Sequence, residues 1–259
     1  MKRRALFLAA AVFITAAFAF DPVAQAPDYH QFADTRRFLG IANFWNVVTN
    51  LPFLYAGFAG LKYLSTNEPR GILPSLVPAY RAFFAGVLLT AIGSARYHIA
   101  PDNDSLLWDR LPMTLVFMSL FSIIVGEHIS GTLGRRVLLP LLLVGVASAV
   151  YWSVTERLGI GDLRPYVLVQ FMPMLLIPLV LLMYSSHFDR TAFLWGMIVV
   201  YTAAKLVEHF DYAVYAFGEL LSGHSVKHLA AATASLLFLY GLRFRQPRQP
   251  FALGAGHAH

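Results

Sequence analysis

Long apolar runs separated by short polar breaks make up most of the chain. After the basic cap Met1 to Arg4, the run Ala5 to Phe20 stops at Asp21-Pro22, and a polar stretch leads to Gly40. Seven further apolar segments follow, running from Ile41 to about Leu64, then Arg81 to His98, Pro112 to Ile129, Val137 to Val154, Tyr166 to Tyr184, Thr191 to Phe210 and Ser225 to Leu242. Each holds about 18 to 24 residues, the length that crosses a ~30 Å hydrocarbon core at 1.5 Å per residue. The pattern predicts an all-α polytopic membrane protein: a seven-transmembrane-helix bundle over 21–243, preceded by a separate segment at 1–20 and followed by a disordered cytoplasmic tail at 244–259. Residues 1–20 read as a signal peptide or as an N-terminal anchor helix. Ala17-Phe18-Ala19 fits a small-x-small cleavage site, the apolar core is short for a span, and either choice sends Asp21 to the far side.

Composition narrows the class. Hydrophobic residues make up 58% of the 259 and charged residues 13%, against about 25% charged in soluble domains, so a soluble helical enzyme is a poor fit. No loop is long enough to fold alone. The chain has no cysteine, which excludes disulfides, thiolate metal sites and cysteine nucleophiles and leaves His, Asp and Glu as metal ligands. The net charge of +6 reads as a topology signal, not as a nucleic-acid footprint. With the N-terminus in the cytoplasm, Lys2, Arg3, Arg4, Lys62, Arg70, Arg81, Arg135, Arg136, Arg190, Arg243, Arg245 and Arg248 all fall on that side. Asp21, Asp28, Asp34, Asp102, Asp104, Asp109, Asp162, Asp211 and Glu219 fall on the other. The last span then ends in the cytoplasm, and an integral protein of a bacterial inner membrane is expected.

The chemistry-bearing residues collect at one depth of this topology. His224 and His228 open the last span one turn apart, so their imidazoles share a helix face and can meet one ion. His98 ends its span on the same side, Asp109 stands just before the next span, and Ser94 lies one turn before His98. Each has an ordinary alternative: HxxxH as two interfacial polar residues, Ser94 as a packing serine, Asp109 as part of a helix start with Pro112 in the first turn. Ionisable residues inside a membrane are costly, however, and their coincidence at one level points to a metal site. A catalytic zinc takes three protein ligands and keeps one position open.

The SxxxH motif Ser94 to His98, Asp109 eleven residues later, and HxxxH at His224 to His228 resemble the motifs of the alkaline ceramidase family. That family is part of a superfamily of seven-helix membrane hydrolases that includes adiponectin receptors and Per1-like proteins. Phe44-Trp45-Asn46-Val47-Val48-Thr49-Asn50 is similar to its first-helix signature. The resemblance, from about Asp21 to Leu242, implies zinc on His98, His224 and His228, with Asp109 moving the proton of a water and Ser94 helping to stabilise the oxyanion. It also implies a lipid substrate with a scissile amide at the polar/apolar boundary, ceramide or another N-acyl lipid, hydrolysed to a sphingoid base and a fatty acid. Protein partners are not specified. The family's calcium-binding acidic segment has a glutamate where Asn43 stands, and Asp28 and Asp34 do not reproduce its spacing. Calcium dependence is therefore not expected, and these acids read as an interfacial loop.

Other polar residues have quieter expectations. Glu208, His209 and Asp211 either orient the histidines or solvate an interface. Glu127 and His128 are expected to face water or headgroups, Trp45, Trp108, Trp152 and Tyr151 to serve interface or packing, and His257 and His259 to be incidental. Two other functions are open to the sequence. One is a receptor-like or structural zinc protein with little turnover, which gives no work to Asp109 and Ser94. The other is a haem carrier, which gives none to two histidines on one helical turn.

Overall fold

The computed structural model describes residues 1–66 and 69–248, and the helices run α1 Lys2–Phe18, α2 Phe44–Val48, α3 Leu51–Leu64, α4 Val77–Ile99, α5 Asn103–His128, α6 Gly131–Arg157, α7 Arg164–Met183, α8 Ala192–His209, α9 Asp211–Gly218 and α10 Gly223–Phe244. No strand occurs among the described residues. His257 and His259 lie outside them. Five stretches are long and apolar enough to cross a membrane: α5, α6, α7, α10 and Pro74–Ile99, which is α4 with the short turn before it. The pair α8 and α9, bent by 81° around Phe210, makes a sixth if it is one span.

The first expected span is where the pattern and the structure part. Ile41 to Leu64 is not one helix, and α3 has 14 residues, about 21 Å against a ~30 Å core. The break has a local cause. Thr49 Oγ1 donates to the Trp45 carbonyl at 2.6 Å and Asn50 Nδ2 to the Asn46 carbonyl at 2.8 Å, so side chains compete with the backbone ladder. Pro52, in the first turn of α3, has no N–H to continue it. Helix α1 packs along α7 and buries none of its own residues, while Arg164 Nη1 donates to the Phe20 carbonyl at 2.6 Å.

Going round the bundle, the neighbours are α8, α10, α3, α4, α5 and α7, with α6 outside on α5. The largest cluster of buried hydrophobic side chains takes in the first half of α4, where Tyr80, Phe83 and Phe84 meet Phe238 of α10 beside Ala56, Ile123 and Ile124. Here one expectation is corrected. Glu127 does not face water but is 0% exposed. Its carboxylate accepts from both terminal nitrogens of Arg245 and from the Tyr80 hydroxyl, and Arg245 Nε donates to the Gly71 carbonyl at 2.7 Å. His128 is buried too, with Nδ1 at 3.2 Å from the Tyr184 carbonyl. The cause is long-range: the chain leaving α10 folds Arg245 into the bundle, which the end of a span does not announce.

Candidate metal centre and lipid cavity

The three histidines meet at the other end of the bundle. His98 sits in the last turn of α4, and α10 starts with Ser222 as N-cap, its hydroxyl accepting from the Ser225 N–H. A second free amide at that helix start, His224 N–H, donates to Asp211 Oδ1 at 2.6 Å. Capping of this kind satisfies donors that have no partner within the helix. Gly223 lets α10 start against α8, since a Cβ there would lie 2.0 Å from the Val207 carbonyl oxygen. His98 Nε2 then lies 3.2 Å from both His224 Nε2 and His228 Nε2, and all three side chains are buried. Nitrogens bound to one tetrahedral zinc at 2.0–2.1 Å lie about 3.3 Å apart. The donor set and spacing fit such an ion, and the group can hold a metal.

The proton on His228 follows from its partner. Thr49 Oγ1 lies 3.0 Å from His228 Nδ1, but its single proton is already given to the Trp45 carbonyl. It can only accept from Nδ1–H, which leaves Nε2 with a bare lone pair directed at the other histidines. Asn43 performs a related task at the end of α4, its Nδ2 donating to the His98 carbonyl at 2.8 Å. A carboxylate at that position has no proton to give. Asn46 Oδ1 accepts from Ser225 Oγ at 2.7 Å. Residues 43–49 thus brace the histidines from the side. The sequence marked this stretch but not these contacts, which depend on the break before α3.

Asp109 and Ser94 come together through another close approach of helices. A Cβ on Gly93 would lie 2.0 Å from the Trp108 carbonyl oxygen, so α4 and α5 touch backbone to backbone there, and the Ser94 hydroxyl adjoins the Asp109 carboxylate. Upstream, Asp102 caps α5 by accepting from Ser105 N–H, and that bond with the Ser105 hydroxyl holds its carboxyl below the usual range. Asp109, Ser94 and His228 line one end of a cavity of about 300 Å³. From there the wall becomes apolar along Val87 and Phe83 of α4, Met113 to Leu120 of α5, Ile177 of α7 and Met197 of α8. Ser94 to Phe83 is about 16 Å of helix.

The segment before α2 covers this end. Phe32 is buried, with its ring centroid 4.8 Å from that of His98 and 4.7 Å from that of His224. Ala33 N–H donates to Asp211 Oδ2 at 2.9 Å, so one carboxylate ties the cover to the start of α10. Asp211 therefore orients the histidine helix, whereas His209 is exposed and packs on Phe210. Asp34, expected in an interfacial loop, is instead 1% exposed and paired with Arg36 at 2.6 Å. Trp152 is buried against Arg110, while Trp45 and Trp108 are exposed.

A search of curated proteins returns no match. The model of the ceramidase family matches residues 38–247, well over half of the chain and a stretch that holds the three histidines, Ser94, Asp109 and the bracing residues 43–49; the protein belongs to the ceramidase family.

Proposed function

We propose that this protein is a zinc-dependent intramembrane amidohydrolase that splits an N-acyl lipid, ceramide foremost, into a sphingoid base and a fatty acid. In this reading α3 and the α8–α9 pair complete a seven-span bundle in a bacterial inner membrane, both chain ends are cytoplasmic, and the histidines lie near the opposite face. The observation that carries it is a cluster of three convergent imidazole nitrogens, one of which, on His228, lines the polar end of an apolar cavity together with the Asp109 carboxylate and the Ser94 hydroxyl. A ligand set that served only the fold would be closed by a fourth residue, and among the described residues no fourth His, Asp or Glu joins the three histidines, while Asp109 and Ser94 share a cavity wall with His228.

Zinc held by His98, His224 and His228 would supply Lewis acidity toward the amide carbonyl and an acidified water. Asp109 would take a proton from the attacking water and return it to the amine as the C–N bond breaks, general base and then general acid. Ser94, beside that carboxylate, would donate its hydroxyl hydrogen to the developing oxyanion. Thr49 would keep His228 in the ligating tautomer. The apolar wall would hold the acyl chain, and Phe32 with its segment would limit bulk water. Family membership supports ceramide hydrolysis.

The test is fatty-acid release from a fluorescent ceramide by the purified full-length protein, with metal content measured on the same sample. About one zinc per chain and release lowered at least 100-fold by Asp109→Asn, with zinc retained, is expected. His98→Ala, His224→Ala and His228→Ala should each lower zinc and abolish release. Full zinc in all three histidine variants would refute the ligand assignment, and zinc without cleavage of any N-acyl lipid would leave the receptor-like or structural reading.

A further inference from the structure

The polar end of the cavity carries more positive than negative charge. Arg110, Lys205 and Lys227 line it against Asp109 and Glu208. Glu208 is shared: one carboxylate oxygen pairs with Lys205, a turn earlier on α8, and the other with Lys227 of α10. Arg110 is 5% exposed, stacks with its guanidinium carbon 4.0 Å from the Trp152 ring centroid and 4.7 Å from that of Tyr166, and gives one hydrogen bond to Gln25 Oε1 at 2.6 Å. Its Nη1 is buried without a partner among the described residues. Three cations therefore line a mostly apolar chamber with two carboxylates, and charge left uncompensated in such surroundings is costly. A dication on the histidines would enlarge the excess.

We infer that the cavity takes an N-acyl lipid whose amine half bears a negatively charged oxyanion, a carboxylate or a phosphate, received by Lys205, Lys227 and Arg110. The inference rests on the amidase reading above and narrows its substrate from N-acyl lipids at large to those with an anionic amine half, in place of ceramide, whose amine half is neutral. With the acyl chain along the apolar wall and the amide beside His228 and Asp109, the amine half is the part left at the polar end. Lys227 stands between the two histidines of α10, Arg110 follows Asp109, and Lys205 lies in the last turns of α8. All three are at the level of the scissile bond. Ammonium groups that line a ligand chamber suit an oxyanion, and the guanidinium of Arg110, which lines it too, has a donor of its fork still unused among the described residues. A neutral headgroup would leave the excess charge unanswered.

The experiment compares three palmitoyl ligands of equal chain length, with amine halves derived from glycine, ethanolamine phosphate and ethanolamine. Binding is measured by calorimetry on the full-length zinc-loaded protein with ketone isosteres, in which CH2 replaces the amide N–H, so no turnover intervenes. At least one anionic isostere should bind 10-fold or more tighter than the neutral one, and the better of the two identifies carboxylate or phosphate. Lys205→Met, away from the histidine helix, should shrink the ratio below 3-fold, and Lys205→Arg should preserve it. A wild-type ratio under 3-fold, or one that Lys205→Met leaves unchanged, overturns the subsite. Hydrolysis of the three matching amides on the same preparation separates the two readings. Cleavage without anion preference sinks the subsite and spares the amidase, whereas anion preference in binding without cleavage of any amide does the reverse.

Discussion

Thr49 carries one hydroxyl proton, and where it goes decides the state of His228. Because it goes to the Trp45 carbonyl, the hydroxyl oxygen is an acceptor for Nδ1–H and the imidazole is held ready to ligate. Thr49→Val keeps the shape and removes the acceptor. Metal affinity should fall about 10- to 100-fold, the usual effect of losing a partner that orients a ligand, as read by competition with a chelator of known affinity. Thr49→Ser should restore most of it, and undiminished affinity in the valine variant would show that the tautomer needs no such lock. The histidines, Asp109 and Ser94 were legible as one group because each lies at a span end, and span ends follow from the hydrophobic pattern. Thr49 and Asn43 were not, since their contacts arise from a break in the chain between α2 and α3, and the left-handed backbone at Asn43 gives no hydrophobic signal. Lys205 was hidden for a different reason, and Glu208, read as orienting the histidines or solvating an interface, instead pairs with it and with Lys227. A lysine and a glutamate three apart near a helix end look like an exposed pair until Lys227 approaches from α10.

At the scale of elements, two glycines separate packing from propensity. Gly223 starts α10 against α8, where an added Cβ would meet the Val207 carbonyl oxygen at 2.0 Å, whereas Gly196 in α8 has only Leu237 Cδ1 at 3.6 Å. Gly196→Ala should be neutral or raise stability by up to about 1 kcal/mol, the helix preference of alanine over glycine. Gly223→Ala must push the start of α10 outward and carry His224 away from His98, so zinc per chain should drop by half or more under conditions that saturate the wild type. Metal analysis beside thermal unfolding distinguishes them, and full zinc in Gly223→Ala would mean that the helix start has slack. Helices α4 to α7 and α10 were legible from run length alone. The 81° bend between α8 and α9 was not, because an apolar run gives no information on direction, and Asp211 at the bend does its work through the distant amides of His224 and Ala33.

Across the whole molecule, holding the fold and holding the site are assigned to opposite ends. Tyr80 and His98 lie about 27 Å apart along α4. Around Tyr80 are the aromatic core and the buried Glu127–Arg245 pair; toward the His98 end are a chamber and three cations set against two carboxylates, arrangements that cost stability. Charge alternation in the sequence placed Arg245 among the cytoplasmic connections, but it could not show that the side chain turns inward, because the returning segment after Phe244 has no periodic pattern to read. Removing Arg245 alone leaves a carboxylate buried without its cation, a change that costs about 3–5 kcal/mol when such pairs are broken. Arg245→Met should therefore lower the melting temperature by several degrees or more, and Arg245→Met with Glu127→Gln should recover much of it, since the amide still accepts from Tyr80 and no charge is stranded. Zinc per chain, measured well below the transition, should stay at the wild-type value in both variants. Sites this far apart with no shared partner act additively, so combining Arg245→Met with Thr49→Val should give the stability loss of one and the metal loss of the other. A melting temperature unchanged by Arg245→Met would show that the pair contributes nothing, and a zinc deficit in that variant would show that the two ends are coupled through α4 and α10.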